Sequence, residues 1–233
     1  QRADTGEYVF EIDCTKLNKN VPRLSFSPDG KQLALGDFEG KIHIFDIEAK
    51  EEVLTLVPDE KIAGPCIPVQ YLPNGNRLIS GHYTGDYLLW DAASGEVLHH
   101  FEEEGIPLDV GVSRNGKQVA TCGGDGSVHV WDTSTGELVS SMSQMGQAIH
   151  VEFLSDNRLV TGSVTGAIHI WDIESEKELL HLPGHSSQLQ GIAVAPDGSR
   201  FFTSSGRDVR MWDTSAERIK TFHQTKWERD LAD

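Results

Sequence analysis

The histidines are the first residues whose types and spacing could do chemistry. His181 and His185 stand four apart, His99 and His100 are adjacent, and His43, His129 and His169 each lie two residues before an aromatic. Two imidazoles at i and i+4 converge on a metal only where the segment is helical, and 181–185 reads HLPGH, a turn carrying a proline. His43, His129 and His169 occupy equivalent places in three similar segments. Such places lie on the order of 10 Å apart, the spacing of packed sheets, too far for shared ligation. No metal site is expected, although partly buried imidazoles would take up protons near pH 6. Gly123-Gly124-Asp125-Gly126 looks like a phosphate loop. It lacks Gly-Lys-Ser/Thr, and a strand pattern follows where a helix N-terminus is needed, so it reads as a tight turn. Asp46, Asp91, Asp132, Asp172 and Asp213 recur at one place in each segment. They read as turn caps and not as a facing catalytic pair. No Gly-x-Ser-x-Gly elbow is present, and no cysteine has a histidine partner that the sequence reveals. The expectation is no catalytic residue, no cofactor and no enzyme.

These residues sit in a self-similar chain of 233 residues. The phrase Thr121–Asp132, TCGGDGSVHVWD, reads as strand, turn, strand and a Trp-Asp pair. Its endings recur as Phe45-Asp46, Trp90-Asp91, Trp131-Asp132, Trp171-Asp172 and Trp212-Asp213, spaced 45, 41, 40 and 41 residues apart. A fixed period of this length marks a repeat architecture whose units bury their faces on one another. The first repeat shows the internal plan. Arg23–Phe26 alternates, Ser27-Pro28-Asp29-Gly30 is a hairpin turn, and Gln32–Leu35, Ile42–Phe45 and Glu52–Leu56 complete an antiparallel meander. The fold class is therefore all-β. Five units are expected at about 20–60, 61–102, 103–143, 144–183 and 184–222 within one domain, 1–222. Residues 1–12 read as the outer strand of a preceding repeat and 223–233 as a charged tail.

Composition limits the partners. The net charge is −16 and the isoelectric point is near 4.9. Nucleic-acid binding calls for a basic stripe, which is not visible, and an anionic membrane surface is disfavoured for the same reason. Cys14, Cys66 and Cys122 are far apart and odd in number, which argues against disulfides and zinc and points to a reducing, intracellular setting, cytoplasmic or nuclear. No run of about 18 apolar residues is present to span a membrane, and QRADTGEY lacks the regions of a signal peptide.

The period, the four-strand units, the SPDG-like first turns and the Trp-Asp endings resemble the WD-repeat β-propeller family over about residues 5–222. The phrases SPDGKQLA and HIFDIE are similar to those of small single-propeller scaffolds of the Ski-complex kind. The resemblance implies four-stranded antiparallel blades packed radially, with Phe45, Trp90, Trp131, Trp171 and Trp212 wedged between them. Seven blades are usual in that family, so five repeats and an orphan strand imply part of a seven-bladed propeller, with a five-bladed ring as the alternative. The family's Asp six residues before the Trp survives only as Asp125, with Glu39, Thr84 and Thr165 elsewhere, and its Gly-His only as Gly184-His185. No complete His/Ser/Trp/Asp network is therefore expected, and the blades should lean on apolar packing.

In the family, ligands often meet the face formed by the loops before strand one and between strands two and three. Aligning the repeats places Phe38, Ile67, Tyr83, Leu108, Ile149 and Val164 there, with Pro22 entering the first repeat. Loops favour polar residues, so this apolar set is a candidate protein interface with aromatic anchors; the competing reading is that several dip into blade packing. Glu102 and Glu103 read as loop charges off that face. The expected function is a non-catalytic scaffold that holds a subunit or peptide, basic or amphipathic, of a multiprotein complex. The alternative is a reader of a modified peptide or small ligand in a central pocket, which would need an aromatic cage or a basic cluster.

Overall fold

A computed structural model describes residues 11–12, 23–62, 64–214 and 221–223. The expected outer strand at 1–12 and the charged tail lie almost wholly outside these residues, as do Cys14 and Pro22. The chain falls into two compact units, 1–102 and 103–233. The first unit holds two sheets. One is β1 (Leu24–Phe26), β2 (Gln32–Gly36), β3 (Ile42–Asp46) and β4 (Glu51–Leu56). The other is β5 (Cys66–Tyr71), β6 (Arg77–His82), β7 (Asp86–Asp91) and β8 (Val97–Glu102). The second unit holds three more. These are β9 (Pro107–Val112), β10 (Gln118–Gly123), β11 (Ser127–Asp132) and β12 (Leu138–Ser143); β13 (Ala148–Ser155), β14 (Arg158–Ser163), β15 (Ile168–Asp172) and β16 (Lys177–Leu182); and β17 (Gly191–Val194), β18 (Arg200–Ser205), β19 (Asp208–Asp213) and β20 (Thr221–His223). Each is a four-stranded antiparallel meander in chain order. The described residues contain no helix.

Turn chemistry sets the strand ends. Ser27 Oγ bonds Asp29 Oδ1 at 2.7 Å and accepts from Gln32 N at 2.9 Å, while Gly30 N donates to Ser27 O at 2.8 Å. Ser113 and Asn115 repeat the device in the third sheet. After the third strand four of the five repeated aspartates cap the turn; the turn that follows Asp213 lies outside the described residues. Asp46 Oδ1 accepts from Ala49 N, Asp91 Oδ1 from Ser94 N, Asp132 Oδ1 from Ser134 N, each at 2.7 Å, and Asp172 Oδ1 from Ser175 N at 2.9 Å. Hydrogen bonds from Ser94, Ser134 and Ser175 hold the carboxyls of Asp91, Asp132 and Asp172 below the ordinary carboxylate range.

Within each unit, the tryptophan at the end of a third strand packs its sheet against the one before it. Trp90 is buried in a cluster with Ala34, Ile44 and Leu56 of the first sheet. Trp171 packs with Ala120, Val130 and Met142, and Trp212 with Val160, Ile168 and Ile170. Phe45 joins Ile12, Leu33 and Leu35. Trp131, in the first sheet of its unit, is half-buried.

The expectation that the blades lean on apolar packing needs one correction: a polar relay, shorter than the family's four-membered His/Ser/Trp/Asp network, runs beside that packing. In every sheet with a described Trp, a strand-two hydroxyl accepts the indole N–H and has a second polar partner. Ser80 accepts from Trp90 Nε1 at 2.8 Å and lies 2.9 Å from His82 Nε2. Thr121 accepts from Trp131 Nε1 at 2.9 Å and donates to Glu103 Oε1. Thr161 accepts from Trp171 Nε1 at 3.0 Å and donates to Gln144 Oε1 at 2.6 Å. Thr203 accepts from Trp212 Nε1 at 2.8 Å and lies 2.8 Å from His185 Nε2. A hydroxyl offers one proton and two lone pairs, so any acceptor can end the relay. Glu103 and Gln144 therefore stand where only His185 is legible by resemblance.

Thr161→Val leaves the Trp171 indole and the Gln144 amide facing an apolar group in a buried site. It should destabilise the chain by about 1–3 kcal/mol in urea melts, with Thr161→Ser close to wild type. Burial pushes the His82 imidazole down to about 4, below its unfolded value near 6.5. The unfolded chain therefore binds a proton that the fold refuses. His82's contribution is fully present above pH 6.5 and is lost as pH falls towards 4, to the extent of roughly 3 kcal/mol. Melts of wild type and His82→Gln from pH 4 to 7.5 should show the variant with the flatter acid limb.

Candidate partner-binding face

The turn between the second and third strands of one sheet is clamped onto the loop that enters the next. A Cβ on Gly126, at φ +87°, would meet the carbonyl oxygens of Gln144 and Gly146 at 2.6 Å; one on Gly166, at φ +86°, would meet those of His185 and Ser187 at 2.5 Å. Only glycine admits both the positive φ and this approach. Backbone bonds complete the clamp: Gln144 N to Gly126 O at 3.0 Å, His185 N to Gly166 O at 2.9 Å, and Cys66 N to Asp37 O at 2.9 Å in the first unit. Because Gln144 and His185 also end relays, these loops are fixed from inside and from above.

The six aligned apolar positions separate on this frame. Phe38 and Tyr83 are 43% and 55% exposed. Both belong to the first unit and flank one loop: the turn glycine beside Phe38, Gly40, abuts the carbonyl of Gly64, and a Cβ on Gly64 would touch Tyr83 Cβ at 3.2 Å. Ile67 is half-buried, and Leu108 and Val164 are half-buried against a core cluster of the second unit. Ile149 is only 8% exposed inside that cluster, because it faces the sheet interior of β13; it offers no contact area. Two exposed apolar residues of the entering loops, Ile106 and Met145, were not among the aligned positions, and Met145 is 91% exposed. Each lies a few residues ahead of the position that alignment of strand starts selects.

Electrostatics distinguishes loop carboxylates from structural ones. Burial opposes ionisation of Asp125, but bonds from Ser127 N (3.0 Å) and Ser127 Oγ (2.7 Å) hold its carboxyl below the usual range. In the first sheet the equivalent work falls to buried Asp37, which accepts from Glu39 N and Lys41 N at 2.9 and 2.8 Å and meets His43 Nε2 at 3.2 Å. Glu103 is not a loop charge. Its side chain is 0% exposed, 3.2 Å from His129 Nδ1, and the nearby carboxylate raises the His129 imidazole above the ordinary histidine value. Cys66 and Cys122 are buried free thiols that burial pushes far up, which makes them poor nucleophiles.

The second unit also carries a cavity of about 670 Å³ at the first turns of its sheets, bordered by Val112, Arg114, Glu152, Leu154, Pro196 and Asp197. Burial and the nearby Asp109 carboxylate raise Glu152 to about 8, so it is largely neutral at pH 7; Asp109 itself pairs with His150 Nδ1 at 3.1 Å. Among the lining residues Phe153 is the sole aromatic and Arg114 the sole cation, neither a cage nor a basic cluster. Histidines four apart do not converge, since His185 bonds Thr203. Histidines on facing strands do. The register sets His169 across from His181, and Glu178 Oε1 reaches His169 Nδ1 at 2.9 Å and His181 Nδ1 at 3.5 Å. Spacing along the chain could not show this pairing.

Comparison with known proteins agrees with this architecture. Residues 1–67 match the model described as the anaphase-promoting complex subunit 4 WD40 domain. Residues 95–132 and 176–213 match that of the WD domain, G-beta repeat. The chain is 23% identical over 90% of its length to the WD repeat-containing protein 91 homolog of Dictyostelium discoideum, covering 28% of that protein. It is 24% identical over 90% of its length to meiotic fizzy-related protein 1 of Schizosaccharomyces pombe, covering 61%. It is 25% identical over 84% of its length to Cell division cycle 20.4, cofactor of APC complex, of Arabidopsis thaliana, covering 47%. The chain thus spans less than two thirds of each of these relatives. No helix among the described residues is long and apolar enough to cross a membrane. Trp-Asp endings at a fixed period, five four-stranded antiparallel sheets and these matches together make the chain a member of the WD-repeat family.

Proposed function

We propose that this chain is a non-catalytic interaction scaffold that receives a protein subunit or peptide of a multiprotein complex on its loop face. The observation that carries the reading is the pair Phe38 and Tyr83, exposed aromatics on loops that flank a single glycine, Gly64. Aromatic anchors on a preset backbone lose little entropy on binding and dominate interface energetics. The match to a WD40 domain of an anaphase-promoting complex subunit, and a relative named as a cofactor of the APC complex, support a place in a multisubunit assembly. The buried free thiols support a reducing, intracellular setting.

The net charge of −16 favours a basic or amphipathic partner segment, and association should slow as salt rises. Nucleic acid and anionic membrane are disfavoured by the same charge.

A Phe38→Ser, Tyr83→Ser double variant should keep its circular dichroism spectrum and bind the protein that co-purifies with wild type at least about 30-fold more weakly, the loss of a true anchor. Glu102→Gln with Glu104→Gln, both exposed, should bind like wild type; Glu103 is unsuitable as a control because it ends a relay. Unchanged affinity in the aromatic double variant would place the partner elsewhere.

A further inference from the structure

The outer two strands of the fourth sheet assemble three side chains that the repeat does not require together. His169 and His181 face each other across β15 and β16, with ring centroids 4.6 Å apart, edge to face. With the Glu178 carboxylate, each residue offers one ligand atom within 4.8 Å of the other two.

The first sheet supplies an internal comparison. There His43 faces Thr55, its Nδ1 lies 2.9 Å from Glu52 Oε1 and its Nε2 3.2 Å from Asp37 Oδ2. Thr55 donates to the same Glu52 oxygen. That imidazole is closed between two carboxylates, with a hydroxyl as the third member. In the fourth sheet the place of Asp37 is taken by Ser163, whose hydroxyl bonds Thr165 at 2.7 Å, and His169 Nε2 is buried without a hydrogen-bond partner. The place of Thr55 is taken by His181. A hydrogen-bond donor has been exchanged for a second nitrogen ligand, at a position whose strand pairing calls for no imidazole.

We propose that His169, Glu178 and His181 form a binding site for a divalent transition metal of the zinc class. Two imidazoles and a carboxylate suit zinc, nickel or copper rather than magnesium or calcium. Three protein ligands also leave a fourth position to water. In a tetrahedral site with bonds of about 2.0–2.1 Å, donor atoms lie about 3.3 Å apart. The carboxylate already stands 2.9 and 3.5 Å from the two imidazole nitrogens. The remaining adjustment falls on the exposed ring of His181, while buried His169 is fixed in β15.

The test is titration of the 233-residue chain with Co²⁺, followed by visible absorption, and then displacement by Zn²⁺. Wild type should bind one equivalent and show the bands of four- or five-coordinate cobalt. His181→Thr, which copies the first sheet, should keep the fold by circular dichroism and weaken binding at least about tenfold, the low end even for second-shell losses. Glu178→Gln should weaken it too. His100→Ala removes the imidazole of a separate acidic cluster with Asp86 and Glu102 and should leave binding unchanged. Absence of saturable one-to-one binding, wild-type affinity in His181→Thr, or loss of binding in His100→Ala would overturn the proposal.

Discussion

A buried hydroxyl in the second strand governs this structure. Ser80, Thr121, Thr161 and Thr203 each accept an indole N–H from the third strand and face a further polar side chain. Unmade, such a bond costs more than a made one contributes, so the relay chooses among otherwise similar apolar packings. Trp90, Trp171 and Trp212 fill the space between neighbouring sheets of one unit, and the hydroxyl fixes the rotation of each. In three sheets the relay then reaches forward to Glu103, Gln144 or His185, in the segment ahead of the first strand. The apolar interior is thereby connected to the loops that lead into these sheets.

The entering loops of the second unit inherit their stiffness from that connection and from the turn glycines. Backbone carbonyls pack so closely on Gly126 and Gly166 that no side chain fits, and the loops carry backbone bonds of their own. In the first unit, Gly40 packs closely on the Gly64 carbonyl beside exposed Phe38 and Tyr83, and Cys66 N bonds Asp37 O; a preset loop of this kind would lower the entropic cost of association. The repeat also permits local variation at little expense. His43 with Glu52 and His169 with Glu178 are one motif, and two exchanges beside it, Asp37 for Ser163 and Thr55 for His181, alter what that edge of the sheet could hold.

Much of the fold was legible in the sequence because it is written in local chemistry. Proline, aspartate and glycine at the first turn, alternating strands, and an aspartate capping the third strand each act within a few residues, and all appear as expected. The site was less legible because its determinants lie across strands and between sheets. Glu103, like Glu102, reads as a loop charge until its side chain is found bonded to Thr121. Ile149 and Phe38 look alike as loop-adjacent apolar residues, yet one is buried and the other exposed, which depends on how β13 meets its neighbours. Asp37 takes over capping from a position two residues away where the family pattern fails. His169 and His181 become neighbours only through strand register.

The central claim is that the relay holds the entering loops in place, and hydrogen exchange tests it most directly. In Thr161→Val, amides of residues 144–147 should exchange faster than in wild type while those of the β14–β15 ladder remain protected, because the lost hydroxyl releases Gln144 and leaves strand pairing intact. Unchanged exchange in the loop, or equal loss of protection across the whole sheet, would contradict the account.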